Sequence, residues 1–173
     1  MKRRQALIGG VAGLSLIGGV GAGWWWNSGT NPNPLPADFW SMRFEQPQGG
    51  ELVLQSMRGQ KLLLNFWATW CAPCVTEMPL LDQFHRDQRA DGWQVVGLAI
   101  DGPTPVRSFL AQRPVGFAIG LAGIGGVELA RALGNPSGSL PYSVVINRSG
   151  MAVQSKLGAL HASDLKDWAA STG

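Results

Sequence analysis

Residues 65–79 read NFWATWCAPCVTEMP and contain the only two cysteines of the 173-residue chain, Cys71 and Cys74. The apolar run Lys61–Trp67 leads into this motif and predicts a buried strand. Pro73 suits the first turn of a helix, where the N–H that proline lacks has no intrahelical partner. The sequence therefore predicts a strand, a short turn and a helix, with Cys71 at the amino end of the helix.

The position of Cys71 determines the chemistry that we expect of the pair. Unpaired backbone N–H groups and the positive end of the helix dipole stabilise a thiolate at the start of a helix. Cys71 is therefore the candidate nucleophile. Cys74 follows one turn later on an inward face, where it is placed to attack a mixed disulfide formed by Cys71 and release the reduced partner.

Two cysteines three positions apart also occur in metal sites and in structural disulfides. A tetrahedral zinc site needs two further Cys or His ligands. The sequence offers only His85 and His161, whose spacing does not help to complete such a site. We predict no metal here, and we interpret both histidines as surface or helix-face residues.

The charge of the chain is concentrated at its amino end. Lys2, Arg3 and Arg4 supply three of the 14 basic residues, which leaves 11 basic against 11 acidic residues in the remainder. Nucleic-acid binding depends on clustered basic side chains, and no basic run occurs after Arg4. We therefore exclude nucleic acid as a partner.

The first 26 residues have the pattern of a membrane anchor. Three basic residues precede residues 5–26, which carry no charge and end in Trp24, Trp25 and Trp26. About 20 apolar residues suffice to cross a bilayer, tryptophan favours the interface, and basic residues remain on the cytoplasmic side. We predict a single-pass anchor at residues 1–26 with the rest of the chain exported. A cleaved signal peptide and a twin-arginine export signal are alternative interpretations.

Residues 27–38 have the composition of an extended linker, since Pro32, Pro34 and Pro36 disfavour a helix. Residues 39–173 then alternate between strand and helix patterns, which predicts one α/β domain. The predicted strands are 39–44, 51–54, 61–67, 93–100, 115–121, 141–147 and 151–157, and the predicted helices are 75–91, 104 or 105–113, 127–133 and a terminal helix from Ser163.

The run NFWATWCAPC followed by TEMP resembles the TlpA/ResA group of membrane-anchored bacterial thiol–disulfide oxidoreductases, and the likeness extends over roughly residues 39–170. The resemblance implies a thioredoxin fold, in which a central mixed β-sheet is flanked by helices. It also implies two additions to that fold. These are an N-terminal β-hairpin and a helix-plus-strand insert between Asp101 and Pro141.

The resemblance assigns expected roles to residues around the cysteines. The Cys71–Cys74 disulfide would be the redox-active group, with no other cofactor. Pro141 matches the cis proline that lies beside the cysteine pair in thioredoxin folds, and this geometry leaves the Leu140 backbone free to pair with an extended substrate. An ordinary trans proline at a strand start is the alternative. Trp70 and Pro73 are expected to contact the substrate.

Two polar residues near the pair are also informative. Asn65 occupies the site where thioredoxin has a buried aspartate that moves a proton, and asparagine cannot perform that transfer. Glu77 matches the glutamate of the CxxCxxE pattern of the group. A carboxylate near a buried thiol can accept its proton, and burial would raise the pKa of Glu77. The alternative is a solvated helix charge.

The function implied by the resemblance is dithiol exchange with disulfides of exported proteins, on the periplasmic face of a bacterial inner membrane. A membrane reductase would supply electrons, and apocytochrome c is one possible client. Two alternatives stay open. One is an oxidase of the same fold that installs disulfides, because the direction depends on the reduction potential. The other is a copper-handling module that uses both sulfurs as soft ligands.

Overall fold

The structure is a computed structural model that describes residues 33–172. The predicted anchor at residues 1–26 and the first part of the predicted linker lie outside the described residues. Within residues 33–172, no helix combines the length and the apolar character that a bilayer span requires.

The fold is built around one strand, β4 (Lys61–Trp67), in which every residue is buried. Strand β4 lies in the middle of an eight-stranded mixed sheet with the order β1-β8-β7-β4-β5-β6-β2-β3. It pairs in parallel with β5 and antiparallel with β7 and lies between two cores, which explains why five of its seven residues are apolar. The other strands are β1 (Asn33–Pro34), β2 (Arg43–Glu45), β3 (Glu51–Val53), β5 (Trp93–Ala99), β6 (Ala118–Leu121), β7 (Tyr142–Ile146) and β8 (Met151–Leu157).

In residues 33–172, four α-helices cover the two faces of the sheet. They are α1 (Ala72–Gln88), α2 (Pro103–Gln112), α3 (Gly125–Ala132) and α4 (Ala162–Ser171). One core cluster places α1, α2 and α4 against the sheet face that carries Leu63, Trp67 and Val95. The other places α3 and the N-terminal elements against the face that carries Leu62 and Leu64. Alternate residues of β4 therefore belong to opposite cores, as the period of two in a strand requires.

The predicted N-terminal hairpin is present but shorter than the sequence indicated. Strands β2 and β3 pair antiparallel, and Glu45 joins the hairpin to Leu121 of β6. The prediction of a strand from residue 39 is wrong at its start, because Phe39–Ser41 form a 3₁₀ turn. That turn is closed by hydrogen bonds from the Ser41 N–H to the Asp38 carbonyl and from the Met42 N–H to the Phe39 carbonyl. Leu54, placed in the second predicted strand, opens another 3₁₀ turn that ends at Met57.

Part of the predicted linker belongs to the sheet. Asn33 and Pro34 form β1 and pair antiparallel with Ala152 and Met151 of β8. A proline is tolerated in this position because β1 is an outer strand, so one side of its backbone needs no ladder partner. The two outer strands of the described sheet, β1 and β3, are two and three residues long.

The predicted insert between β5 and β7 contains a helix, a strand and a helix. Strand β6 begins at Ala118, three residues later than predicted, and α3 begins at Gly125, two residues earlier. After α3, Gly134 adopts a φ of +105° and donates its N–H to the Arg131 carbonyl. Glycine tolerates this left-handed conformation without the steric cost of a side chain, so it ends the helix.

His85 is a helix-face residue, as one of the two interpretations had it, but it is not a surface residue. This side chain lies on the inward face of α1 with only 9% of its surface exposed, and its ring lies 6.4 Å from that of Phe117. Helix α1 is covered by the loop and strand that follow α2, so a wider stripe of the helix is buried than its apolar residues indicate. His161 is exposed and is the N-cap residue of α4.

We predict that Gly97→Val lowers the free energy of unfolding by about 1–3 kcal/mol, the usual cost of overpacking a core. A Cβ atom at Gly97 would lie 2.7 Å from Ile119 Cδ1 and 3.0 Å from Trp67 Nε1. Denaturant unfolding of the oxidised protein measures the change. Gly125→Ala is the matched control, since a Cβ atom there meets nothing within 4 Å. Equal stability of the Gly97→Val variant and the wild type would contradict the close packing between β5 and β6.

Candidate active site

Cys71 and Cys74 form a disulfide with an S–S distance of 2.06 Å and a Cα–Cα distance of 5.3 Å. Cys71 is the N-cap of α1, as predicted, and the Cys74 N–H donates a hydrogen bond to Cys71 Sγ at 3.4 Å. Cys71 is 6% exposed, whereas Cys74 is fully buried. A partner molecule therefore reaches the sulfur of Cys71 before that of Cys74.

A hydrogen-bonded turn holds the residues that precede Cys71. Asp101, at the end of β5, accepts the Thr69 N–H at 3.1 Å and the Thr69 hydroxyl at 2.5 Å through Oδ2. Its Oδ1 accepts the Gly102 N–H at 2.9 Å. The Cys71 N–H in turn bonds to the Ala68 carbonyl. The Asp101 carboxylate thus fixes the turn from β4 into α1, and the sequence analysis did not identify this residue.

Glu77 lies beneath the disulfide, one helical turn after Cys74, and is only 3% exposed. Its Oε1 accepts a hydrogen bond from Asn65 Nδ2 at 2.7 Å, and its Oε2 accepts the Leu160 N–H at 2.6 Å. Asn65 Nδ2 also donates to Ser143 Oγ at 3.0 Å. Glu77 therefore connects α1 to β4 and to the segment before α4. The interpretation of Glu77 as a solvated surface charge is wrong.

The electrostatics of Glu77 follow from this position. Burial raises the pKa of Glu77 above its ordinary value of 4.5, because the carboxylate loses its hydration. The hydrogen bonds from Leu160 and Asn65 and the positive charge of Lys156 act in the opposite direction without cancelling the effect of burial. The expected rise in the pKa of Glu77 is therefore present. Transfer of a proton from the Cys74 thiol to Glu77 belongs to the reaction mechanism and does not follow from this pKa alone.

The Leu140–Pro141 peptide bond is cis, as the resemblance implied. Tyr142, the first residue of β7, pairs with Phe66 of β4. Pro141 therefore lies at the edge of the sheet where β4 leads to the cysteine pair. Within residues 33–172, the N–H and C=O of Leu140 make no backbone hydrogen bond, and the Pro141 carbonyl accepts the Gly158 N–H at 2.8 Å.

The remaining predicted contact residues lie on the surface beside the disulfide. Trp70, directly before Cys71, is 70% exposed, and Pro73, in the first turn of α1, is also exposed. An aromatic ring offers a large contact area to a partner, and the indole N–H can donate a hydrogen bond. Both exposed residues therefore lie within two positions of Cys71 in the chain.

A second polar residue that the sequence analysis missed shapes the loop before Pro141. Asn135 is 2% exposed, its Nδ2 donates to the Ser139 carbonyl at 2.9 Å, and its Oδ1 accepts the Ser137 hydroxyl at 2.8 Å. The Asn135-Pro136 dipeptide is a turn signal that could have identified this loop. Across the described part of the chain, no group of three or more His, Cys, Asp or Glu side chains is placed to hold a metal ion.

We predict that Glu77 makes the stability of the oxidised protein fall as pH rises. A carboxyl group whose pKa is raised on folding binds its proton more tightly in the folded state. Its contribution to the free energy of unfolding is therefore lost as pH increases from about 4.5 through the pKa of the folded state. The measurement is denaturant unfolding of wild type and Glu77→Gln over this range, with the disulfide intact so that neither cysteine titrates.

The expected outcome is that wild type becomes less stable relative to Glu77→Gln as pH rises. Both proteins share all other carboxyl groups, so the pH dependence of stability that those groups cause cancels in the difference between the two proteins. A stability difference that does not vary with pH, or that varies in the opposite direction, would contradict the assigned effect of burial on the pKa of Glu77.

The chain is similar to a known protein family and to characterised relatives. A family model described as Redoxin matches residues 34–170. Thiol-disulfide oxidoreductase ResA of Bacillus cereus is 28% identical over 113 residues, which cover 64% of this chain and 62% of that protein. Sporulation thiol-disulfide oxidoreductase A of Bacillus subtilis (strain 168) is 28% identical over 123 residues, covering 69% and 72%.

A solved structure gives the corresponding likeness in three dimensions. A thiol:disulfide interchange protein of the thioredoxin family from Chlorobium tepidum TLS has a TM-score of 0.68 and 25% sequence identity, covering 82% of this chain and 97% of that chain. The predicted thioredoxin fold and the resemblance to the TlpA/ResA group are therefore confirmed. With the family model spanning the sheet, the cysteine pair and most of α4, the chain belongs to the Redoxin family.

Proposed function

We propose that this chain is a thiol–disulfide oxidoreductase that reduces disulfides in exported proteins. The observation that carries the proposal is the Cys71–Cys74 disulfide at the amino end of α1, with one sulfur near the surface and the other fully buried. Such a pair can pass between a disulfide and a dithiol without large movement. The two relatives described above carry the name thiol-disulfide oxidoreductase, which supports the same activity.

In the proposed reaction the reduced protein acts first through Cys71. The Cys71 thiolate attacks one sulfur of the client disulfide, and the other client sulfur leaves with the electron pair and takes up a proton. Cys74 then loses its proton and attacks Cys71 Sγ, which releases the second client thiol. The client disulfide gains two electrons and two protons, and the protein ends with the Cys71–Cys74 disulfide.

We propose that Glu77 accepts the proton that the Cys74 thiol loses. The two residues are three apart on α1, and both are buried on the same side of the helix. A carboxyl group whose pKa is raised by burial is a better match for a thiol than an ordinary carboxyl group. Asn65 cannot accept the proton, and its role is to hold Glu77 Oε1 in place.

The proposed client segment binds in an extended form beside the disulfide. Leu140 has no backbone hydrogen bond within the described chain, so its N–H and C=O are available to an added strand. The exposed ring of Trp70 and the exposed Pro73 lie next to Cys71 and supply apolar contact on the surface that the client covers. These contacts orient the client sulfur towards Cys71.

The location and the electron source complete the proposal. The basic residues 2–4 and the uncharged residues 5–26 support an anchor in a bacterial inner membrane, with the domain on the periplasmic side. A reductase in an oxidising compartment needs a donor, and a membrane protein that passes thiol electrons outward would serve. Proteins whose cysteines must be reduced after export, such as apocytochrome c, are the proposed clients.

We predict that the reduced Cys74→Ser variant accumulates a mixed disulfide with a disulfide-bonded peptide. Without the second thiol, the complex between Cys71 and the peptide cannot be resolved from within the protein. Mass spectrometry detects the adduct, which disappears on treatment with a reductant. The reduced Cys71→Ser variant is the matched control and is expected to form far less adduct. Greater capture by Cys71→Ser would show that the roles of the two cysteines are assigned wrongly.

We predict that the reduction potential of the disulfide lies near that of thioredoxin, about −270 mV, as expected of a reductase. Equilibration of residues 33–173 with glutathione or dithiothreitol buffers of known potential measures it. A potential near that of the strong oxidant DsbA, about −120 mV, would favour the oxidase of the same fold instead. The measurement therefore decides the direction of exchange independently of the client.

A further inference from the structure

An open cavity of about 440 Å³ lies next to the turn that carries the disulfide. Its walls come from the carboxyl ends of β5 and β6 and from the start of α2, and its lining is mainly apolar. Asp101 lines this cavity and also bonds to Thr69 in the turn before Cys71. Asp101 therefore connects the wall of the cavity to the turn that precedes Cys71. The disulfide-exchange reaction proposed for Cys71 and Cys74 does not involve this cavity.

The strand order places the cavity and the disulfide at the same edge of the sheet. Strands β4, β5 and β6 are parallel neighbours, so their carboxyl ends share one edge. Strand β4 leads to Cys71 and β6 leads to the cavity, two strand spacings away. With neighbouring strands about 4.8 Å apart, the carboxyl ends of β4 and β6 are separated by roughly 10 Å, which is the length of about three residues of extended chain.

The rim of the cavity carries the most exposed large apolar side chain in residues 33–172. Ile124 is 89% exposed and lies directly before α3. The turn that presents it is well fixed, because the N–H groups of Ala122 and Gly123 both bond to the Ala99 carbonyl at 3.0 Å. The next turn begins with Gly126, where a Cβ atom would lie 2.8 Å from Ala122 Cβ. Ile124 is thus held in an exposed position by a tightly packed backbone.

The charge at the cavity is acidic. Glu45 and Asp101 are its two charged lining residues, and both oxygens of Asp101 already accept hydrogen bonds from the turn. The Glu45 side chain is exposed and makes no hydrogen bond to another residue in the range 33–172. An apolar side chain can fill the cavity against Ile124, and a basic neighbour can lie near Glu45.

We propose that this cavity is a specificity site for the client polypeptide. It binds an apolar side chain about three residues from the client cysteine, next to a lysine or arginine. The inference rests on the proposed function, since it concerns the segment that flanks the disulfide during exchange. The occupant is an extended, unfolded segment, because three residues span the roughly 10 Å between the carboxyl ends of β4 and β6 only when the chain is extended.

Peptides with one cysteine, activated as a mixed disulfide with 2-nitro-5-thiobenzoate, test the proposal. The Cys71 thiolate attacks the peptide sulfur and expels the thiobenzoate, whose colour gives the rate; Cys74 then releases the reduced peptide. In the first pair of peptides, the residue three positions before the cysteine is leucine in one peptide and serine in the other, and a lysine follows it. In the second pair, the leucine or serine lies three positions after the cysteine, and a lysine again follows it. The readout is the ratio of Leu to Ser rates for one protein, so a general loss of reactivity cancels.

With the wild-type protein, leucine on one side of the cysteine is expected to raise the second-order rate constant about fivefold over serine, consistent with partial burial of one apolar side chain. With Ile124→Ser, this ratio is expected to fall below about twofold because the apolar rim is lost. Replacement of the peptide lysine by glutamate is expected to slow wild type by about twofold at low salt, and Glu45→Gln removes that difference.

Glu128→Gln is the matched control. Glu128 is an exposed acid on α3 that pairs with Arg131 and does not line the cavity. Its replacement is expected to leave both peptide ratios as in wild type. Equal rates for leucine and serine peptides in both positions with wild type would overturn the proposal, as would a leucine advantage that persists in Ile124→Ser.

A reagent without a peptide, the symmetric disulfide of 2-nitro-5-thiobenzoate, separates failure of the inference from failure of the proposed function. It carries no peptide, so its reduction requires only the dithiol. If reduced wild type consumes this reagent without any preference among the peptides, the exchange activity stands and the specificity site is wrong. If neither the reagent nor the peptides react faster than with a free thiol in solution, the proposed exchange function itself fails.

Discussion

The structure depends on the short connection between the central strand and the first helix. Strand β4 is buried along its whole length, and only four residues separate its end at Trp67 from the first residue of α1. The chain must therefore turn sharply at the edge of the sheet, and Asp101 supplies the acceptor that holds this turn through Thr69. A slip of β4 by one residue would turn Asn65 to the other face of the sheet, away from Glu77, so the register of the strand fixes Cys71 at the start of the helix.

Glu77 carries this constraint from the strand to the rest of the domain. Its two oxygens accept hydrogen bonds from β4 through Asn65 and from the segment before α4 through Leu160. A buried carboxylate without donors would be costly, so these bonds explain how the charge is tolerated below the disulfide. The same residue thereby serves two requirements. It connects three parts of the fold, and it places an ionisable group one turn from the buried thiol.

Much of the architecture could be predicted, and the misses have physical causes. The apolar run before Cys71 and the position of Pro73 predicted the helix start from local chemistry, whereas the thioredoxin fold and the cis peptide before Pro141 followed from the resemblance to the TlpA/ResA group. The inward face of His85 and the pairing of β1 with β8 depend on contacts between distant segments, which periodicity does not contain. Asp101 was missed because a lone aspartate after a strand is an ordinary turn residue. Only the folded chain shows that it binds Thr69.

The short outer strands have a consequence for a protein that meets unfolded chains. A long, flat outer strand offers unpaired N–H and C=O groups on which another polypeptide can polymerise. Here the sheet ends on one side in a two-residue strand that contains Pro34 and on the other in the three-residue β3. The margins of the sheet therefore give little template for amyloid-like growth, while the backbone of Leu140 beside the disulfide stays accessible to an incoming segment. For the proposed function, this arrangement means that a client can add as a strand beside the disulfide, while the outer strands offer it little backbone to pair with.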